Sequence, residues 1–130
     1  MAAFTATPRN AMIDWYTGKT TPAAVATRYI SIWNGDPQGA GTEVISTITG
    51  SANRQPITAS MAAAAAGSAA STANIVFTTS AVGSAVVNFI AIHDAITAGN
   101  IIGSVGVTSK TPQVGDSLSI LSGNLVVSIT

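Results

Sequence analysis

The sequence predicts an all-β protein: a two-sheet β-sandwich, jelly-roll-like, of about eight strands, preceded by a short N-terminal helix or arm. Three observations carry this. From Thr27 onward apolar and polar residues alternate with period two, the spacing of a half-buried strand. The alternating runs are short, and clusters of Gly, Pro, Asn and Asp separate them. No repeat of solenoid or propeller length is present. Residues 1–24 form the arm, and residues 25–130 form the sandwich.

In the arm, Thr7 is placed to cap a helix, Pro8 suits its first position, and Gly18 stands where a stop is expected. Met12, Trp15 and Tyr16 share one face of it. A helix of about nine residues is marginal alone, so it docks either on its own sandwich or on a neighbour.

In the sandwich, Ile30 and Ile32 alternate with Tyr29, Ser31 and Trp33. Asn34–Gly41 then supplies turn dihedrals. Thr42–Thr49 and Gln55–Met61 are weaker strands, the second beginning at an edge because of Pro56. Met61–Ser71, nearly all Ala, Gly and Ser, reads as a connector. Asn74–Thr79 alternates Ile75 and Phe77 with polar residues. Ser84–His93 is apolar on both faces, Val87 and Phe89 against Val86, Ile90 and Ile92, and is therefore covered on both sides. Thr97–Asn100 is a hairpin turn. Ile101–Val107 follows, with Gly103 and Gly106 marking bulges. Leu118 and Ile120 face inward. Ser122–Asn124 turns the chain into a last strand that alternates Leu125, Val127 and Ile129.

Charge is scarce. Lys, Arg, Asp and Glu make up 8% of residues, against about 25% in an ordinary soluble domain. Residues 55–93 contain none of the four. Little then keeps copies apart, and the composition suits a protein packed against other chains. The apolar runs are too interrupted for a membrane helix, which needs roughly 18 apolar residues. Five basic and five acidic residues give no basic face for nucleic acid. The absence of Cys excludes disulfides and thiolate metal sites.

Nothing points to catalysis or to a cofactor. The single His93 precedes Asp94, but neighbours on a strand face opposite ways. The pair therefore ends a strand, with Asp94 bonding local backbone. No Gly-x-Ser-x-Gly nucleophile or phosphate-binding glycine loop is present. The carboxylates show no ligand spacing for a metal, and the 34–43 loop is the one weak calcium candidate.

Several short motifs resemble a family of small tailed-phage virion proteins. They are Ser31–Pro37 followed by Glu43, Arg54-Gln55-Pro56-Ile57, Ala91–Ala95, Gly99–Ile102, Val114–Ile120 and Gly123–Ile129. Their order and spacing, across residues 28–130, carry the likeness more than any one piece. The resemblance implies a non-enzymatic structural protein. First expected is a capsid decoration, or cement, protein that binds the major capsid protein as a dimer or trimer on the capsid surface. The alternatives are a tail or tail-fibre-associated component and a carbohydrate-binding adsorption module, for which Tyr29 and Trp33 are thin support. The family carries no catalytic residues. Neither nucleic acid nor membrane is an expected partner. The partner interface is expected at Phe4, Met12, Trp15 and Tyr16 of the arm and at Met61 and Ala64 of the Ala-rich segment.

Overall fold

The computed structural model describes residues 3–21, 26–78 and 83–128. It is mostly β, built of antiparallel sheets that close on one apolar core. The main sheet has six strands. At its centre β2 (Tyr29–Asn34) pairs with β7 (Val87–His93), and β7 pairs with β8 (Ile101–Lys110). The outer edge of β8 takes β1 (Ala3–Phe4). The outer edge of β2 takes β3 (Thr42–Glu43) at one end and β4 (Gln55–Pro56) at the other. Two smaller sheets complete the layers: β5 (Ser68–Ala70) with β10 (Val126–Ser128), and β6 (Ile75–Thr78) with β9 (Ser117–Ile120).

The core follows the period-two pattern. Ile30, Ile32, Ile90 and Ile92 of the main sheet meet Ile75 and Phe77 of β6, with Leu118 and Ile120 of β9 packed against them. Leu125, just before β10, and Val127 within it add to the core; Ile129 lies outside the described residues. Val87 joins Ile90 and Ile92 in this core, not Phe89. A register shift between Val87 and Phe89 breaks the alternation there, because extra residues on one strand of a pair turn the side chains that follow. The strand is nonetheless covered on both faces, as its sequence requires.

Three segments differ from their sequence reading. Thr42–Thr49 is a strand only as far as Glu43, after which Ile45–Thr49 winds into a short helix, α2. Ile45 and Ile48 are three apart and both buried, so one helical turn serves the core where a strand would bury only alternate residues. The Gln55–Met61 segment pairs with β2 at β4 and then forms a 3-10 turn, Thr58–Ser60, before Met61 begins a second pairing. Pro56 has no N–H for a longer ladder.

The third difference is Met61–Ser71, which is a hairpin and not a connector. Met61 bridges Ser71, Ala65 bridges Ser68, and the strand half pairs with β10. Ala65 and Ser68 exchange backbone hydrogen bonds of 2.8 and 3.0 Å around Ala66 (φ 51°) and Gly67 (φ 76°). Two central residues at positive φ mark the type I′ turn, which suits the twist of paired strands. Alanine is strained there, at about 1 kcal/mol. Ala66→Asn is expected to stabilise the protein by roughly 0.5–1 kcal/mol, read as a higher melting temperature. An unchanged or lower value would remove the turn assignment.

The N-terminal helix α1 spans Ala6–Tyr16, with Thr5 at its N-cap position. It thus begins before the predicted Thr7 and Pro8. Pro8 is tolerated inside the first turn, where backbone N–H groups have no helical partner. Thr5 is fixed to β8: its N–H donates to the Ile102 carbonyl at 2.7 Å and its hydroxyl to the Ile101 carbonyl at 2.8 Å. The predicted stop holds. Gly18 (φ 75°) donates to the Trp15 carbonyl and Lys19 to that of Asp14, the paired bonds of a Schellman end.

Candidate interaction site

The residues expected at an interface fall into two groups. Phe4 and Met61 line one apolar cleft of about 430 Å³ between the β1 end of the main sheet and the β5–β10 sheet. Ala62 and Ala63 form part of its wall, and Arg28 is the charged residue of the lining. Ala64 is exposed just beyond it. Met12, Trp15 and Tyr16 lie on α1. Met12 is half-buried, while Trp15 is 49% and Tyr16 82% exposed. Their rings pack on each other at 4.9 Å. Ile13 on the same helix is 60% exposed; the sequence reading did not single it out.

The chemistry-bearing residues gather elsewhere, on the face of the main sheet opposite the core. Ser31 of β2, Ala91 of β7 and Ser104 of β8 lie side by side in register. All three are small and all are buried. Above them the Trp33 and His93 rings stack in parallel, 6.0 Å between centroids. Side chains lean along a strand, and the small Ser31–Ala91 pair leaves room for the two rings to approach from opposite ends. Ala91→Leu is expected to push this stack apart and cost about 1–3 kcal/mol, measured by urea unfolding. A loss below the error of that measurement would mean the rings do not need the space.

Arg54 and Glu43 close this face. Arg54 is 7% exposed. Its Nε and Nη2 donate to the two Glu43 carboxylate oxygens at 2.7 and 2.9 Å. Its Nη1 donates to the carbonyls of Ala95 and Ala98 at 3.0 and 2.6 Å, which fastens the β7–β8 loop. The Ser31 hydroxyl also bonds Glu43. Burial raises the Glu43 carboxyl, but hydrogen bonds from Arg54 and Ser31 and the charge of Arg54 outweigh it and hold the pKa below the ordinary range. Gln38, from the 34–41 loop, reaches over to the Ser104 hydroxyl at 2.7 Å.

His93 is 1% exposed, and neither ring nitrogen has a hydrogen-bond partner among the described residues. Burial pushes its pKa down to about 4, helped by Arg54 and opposed by Glu43 and Asp94. Asp94 does what the sequence indicated. Its carboxylate accepts from the Asn100 backbone and side chain at 2.7 and 3.0 Å, and these bonds lower its pKa. Gly99 fits against it because a Cβ there would sit 2.3 Å from the Asp94 carboxylate.

No group of three His, Asp or Glu residues that could hold a metal ion occurs among the described residues. Asp36 in the 34–43 loop instead accepts from the Gln38 N–H at 2.9 Å. Trp33, one of the two aromatics that would serve a sugar platform, is half-buried with its ring on His93.

The motif residues Glu43, Arg54, His93, Asp94, Gly99 and Asn100 thus converge on one structural corner. Among protein families, the model of Podophage GP4 fiber I protein gp80 matches residues 3–128. The chain belongs to the gp80 family. The match covers the arm as well as the sandwich, so β1 and α1 are family territory. The gp80 family is one of tailed-phage virion structural proteins. No curated protein matches the chain.

Proposed function

We propose that this chain is a non-enzymatic structural protein of the tail-fibre type, held in the virion by contacts between apolar surfaces of neighbouring chains, including copies of itself. The observation that carries this reading is the match to a fibre protein family over residues 3–128. The fold supports it. The buried polar corner ties loops together, Ile13, Trp15 and Tyr16 of α1 are exposed, and an apolar cleft lies beside Phe4 and Met61. The family description favours the tail over decoration of the shell, where the chain would instead bind the major capsid protein.

Copy number and position in purified particles test this. The fibre reading expects a stoichiometry set by the tail and labelling at the tail. A count matching the shell subunits, with labelling over the capsid, would return the decoration reading. A charge at Ala64, as in Ala64→Glu, is expected to lower incorporation while leaving the melting temperature of the isolated chain unchanged.

A further inference from the structure

We infer that the aromatic end of α1 from one copy docks in the apolar cleft of a second copy; this rests on the reading of the chain as a self-associating structural protein. The same chain carries both halves of such a contact. One half is a helix whose Ile13, Trp15 and Tyr16 are exposed. The other is a cleft of about 430 Å³ whose wall includes Phe4 and Met61.

The helix does not fill the cleft of its own chain. Thr5 pins its start to β8, beside Phe4 at the cleft wall. From there a straight helix carries Trp15 about 15 Å along its axis. Trp15 and Tyr16 remain exposed in that position.

Charge selects the occupant. Asp14 stands beside Trp15, and its carboxylate has no hydrogen bond or ion pair among the described residues. The cleft offers a single cation, Arg28, whose charge also acts on Asp94 at the end of the neighbouring strand. A helix bringing Trp15 into the cleft brings one carboxylate to one guanidinium. Nothing of like charge lines the wall to oppose it. Aromatic anchors in apolar pockets with a charged rim are how compact interfaces concentrate their affinity. Helix and cleft are different patches of one surface, so copies join head to tail or exchange helices as a pair.

The chain has no cysteine, which makes cross-linking specific. Full-length Tyr16→Cys and Ala63→Cys chains, tagged differently and mixed, are expected to give an oxidised heterodimer that neither forms alone. In sedimentation of the unmodified chain, Asp14→Arg and Arg28→Asp are each expected to weaken self-association by about tenfold or more, as is Trp15→Ala. The Asp14→Arg/Arg28→Asp double variant is expected to recover most of it. Failure of the mixed pair to cross-link, or of the charge swap to rescue, overturns the docking. If self-association and tail incorporation persist in that case, the fibre reading stands and only this interface falls. If the chain is monomeric at all concentrations and absent from the tail, the fibre reading itself fails.

Discussion

Glu43→Ala is expected to cost about 3–5 kcal/mol, the largest single-residue effect away from the apolar core. The cost is not the value of one ion pair. Arg54 is almost fully enclosed, and it makes a two-point contact with Glu43 while holding the β7–β8 loop through two carbonyls. Without the carboxylate, a buried guanidinium keeps only neutral acceptors. Ser31 also loses its partner beneath it. Replacing both charges with apolar residues, as in Glu43→Leu/Arg54→Met, is expected to recover much of the loss, because neither ion then needs compensation. The double-mutant cycle from urea unfolding measures this coupling. A Glu43→Ala loss under about 1 kcal/mol would show that Arg54 swings out to water, and that the corner is not closed.

Acid is expected to loosen the same corner through His93. Its folded pKa is near 4, against about 6.5 in an unfolded chain. Below the higher value the unfolded chain takes up a proton that the folded chain does not. Stability is therefore full above about pH 6.5 and falls as the pH drops toward 4, by about 3 kcal/mol in all. Glu43 adds to the loss at lower pH, since its carboxyl is held below its ordinary value and stability goes as it protonates. His93→Phe keeps a ring against Trp33 and discards two nitrogens that have no hydrogen-bond partner among the described residues. That variant is expected to be at least as stable as the parent at pH 7 and to lose the step between pH 6.5 and 4. Parallel stability curves for the two proteins would mean that His93 titrates normally.

The sequence is a good guide to the core and a poor one to the corner, for a physical reason. Ile30, Ile32, Ile75, Phe77, Leu118 and Ile120 are legible because period-two burial is local. Each strand states its own inner face whatever its partner. Val87 escapes that logic, because a register shift depends on the partner strand. The Ala-rich hairpin escapes it too, since alanine alternates with alanine and the strand shows only when paired with Val126–Ser128. Glu43 and Arg54 carried a signal that sequence reasoning passed over. They are charges near the start of a long uncharged stretch, within recurring motifs, and such charges need partners. Which partners they find depends on a topology that places β3 and the segment before β4 along one edge of β2. On α1 the aromatics are legible as one helical face, but whether that face packs on its own domain is not, and its separation from the Phe4–Met61 cleft depends on the anchoring of Thr5.

That anchoring also sets an order of events. Thr5 and Ile101 are 96 positions apart in the chain, whereas β7 and β8 are joined by a short loop. Contacts between distant positions carry a larger closure cost and form late, after local hairpins exist. The amide of Thr5 is therefore expected to exchange with solvent faster than those of β7 and β8, and equal protection would place the arm in the first cooperative unit. Phe4 belongs to the same late-forming segment and is part of the cleft wall. The wall of the cleft is therefore complete only once Phe4 has paired with β8.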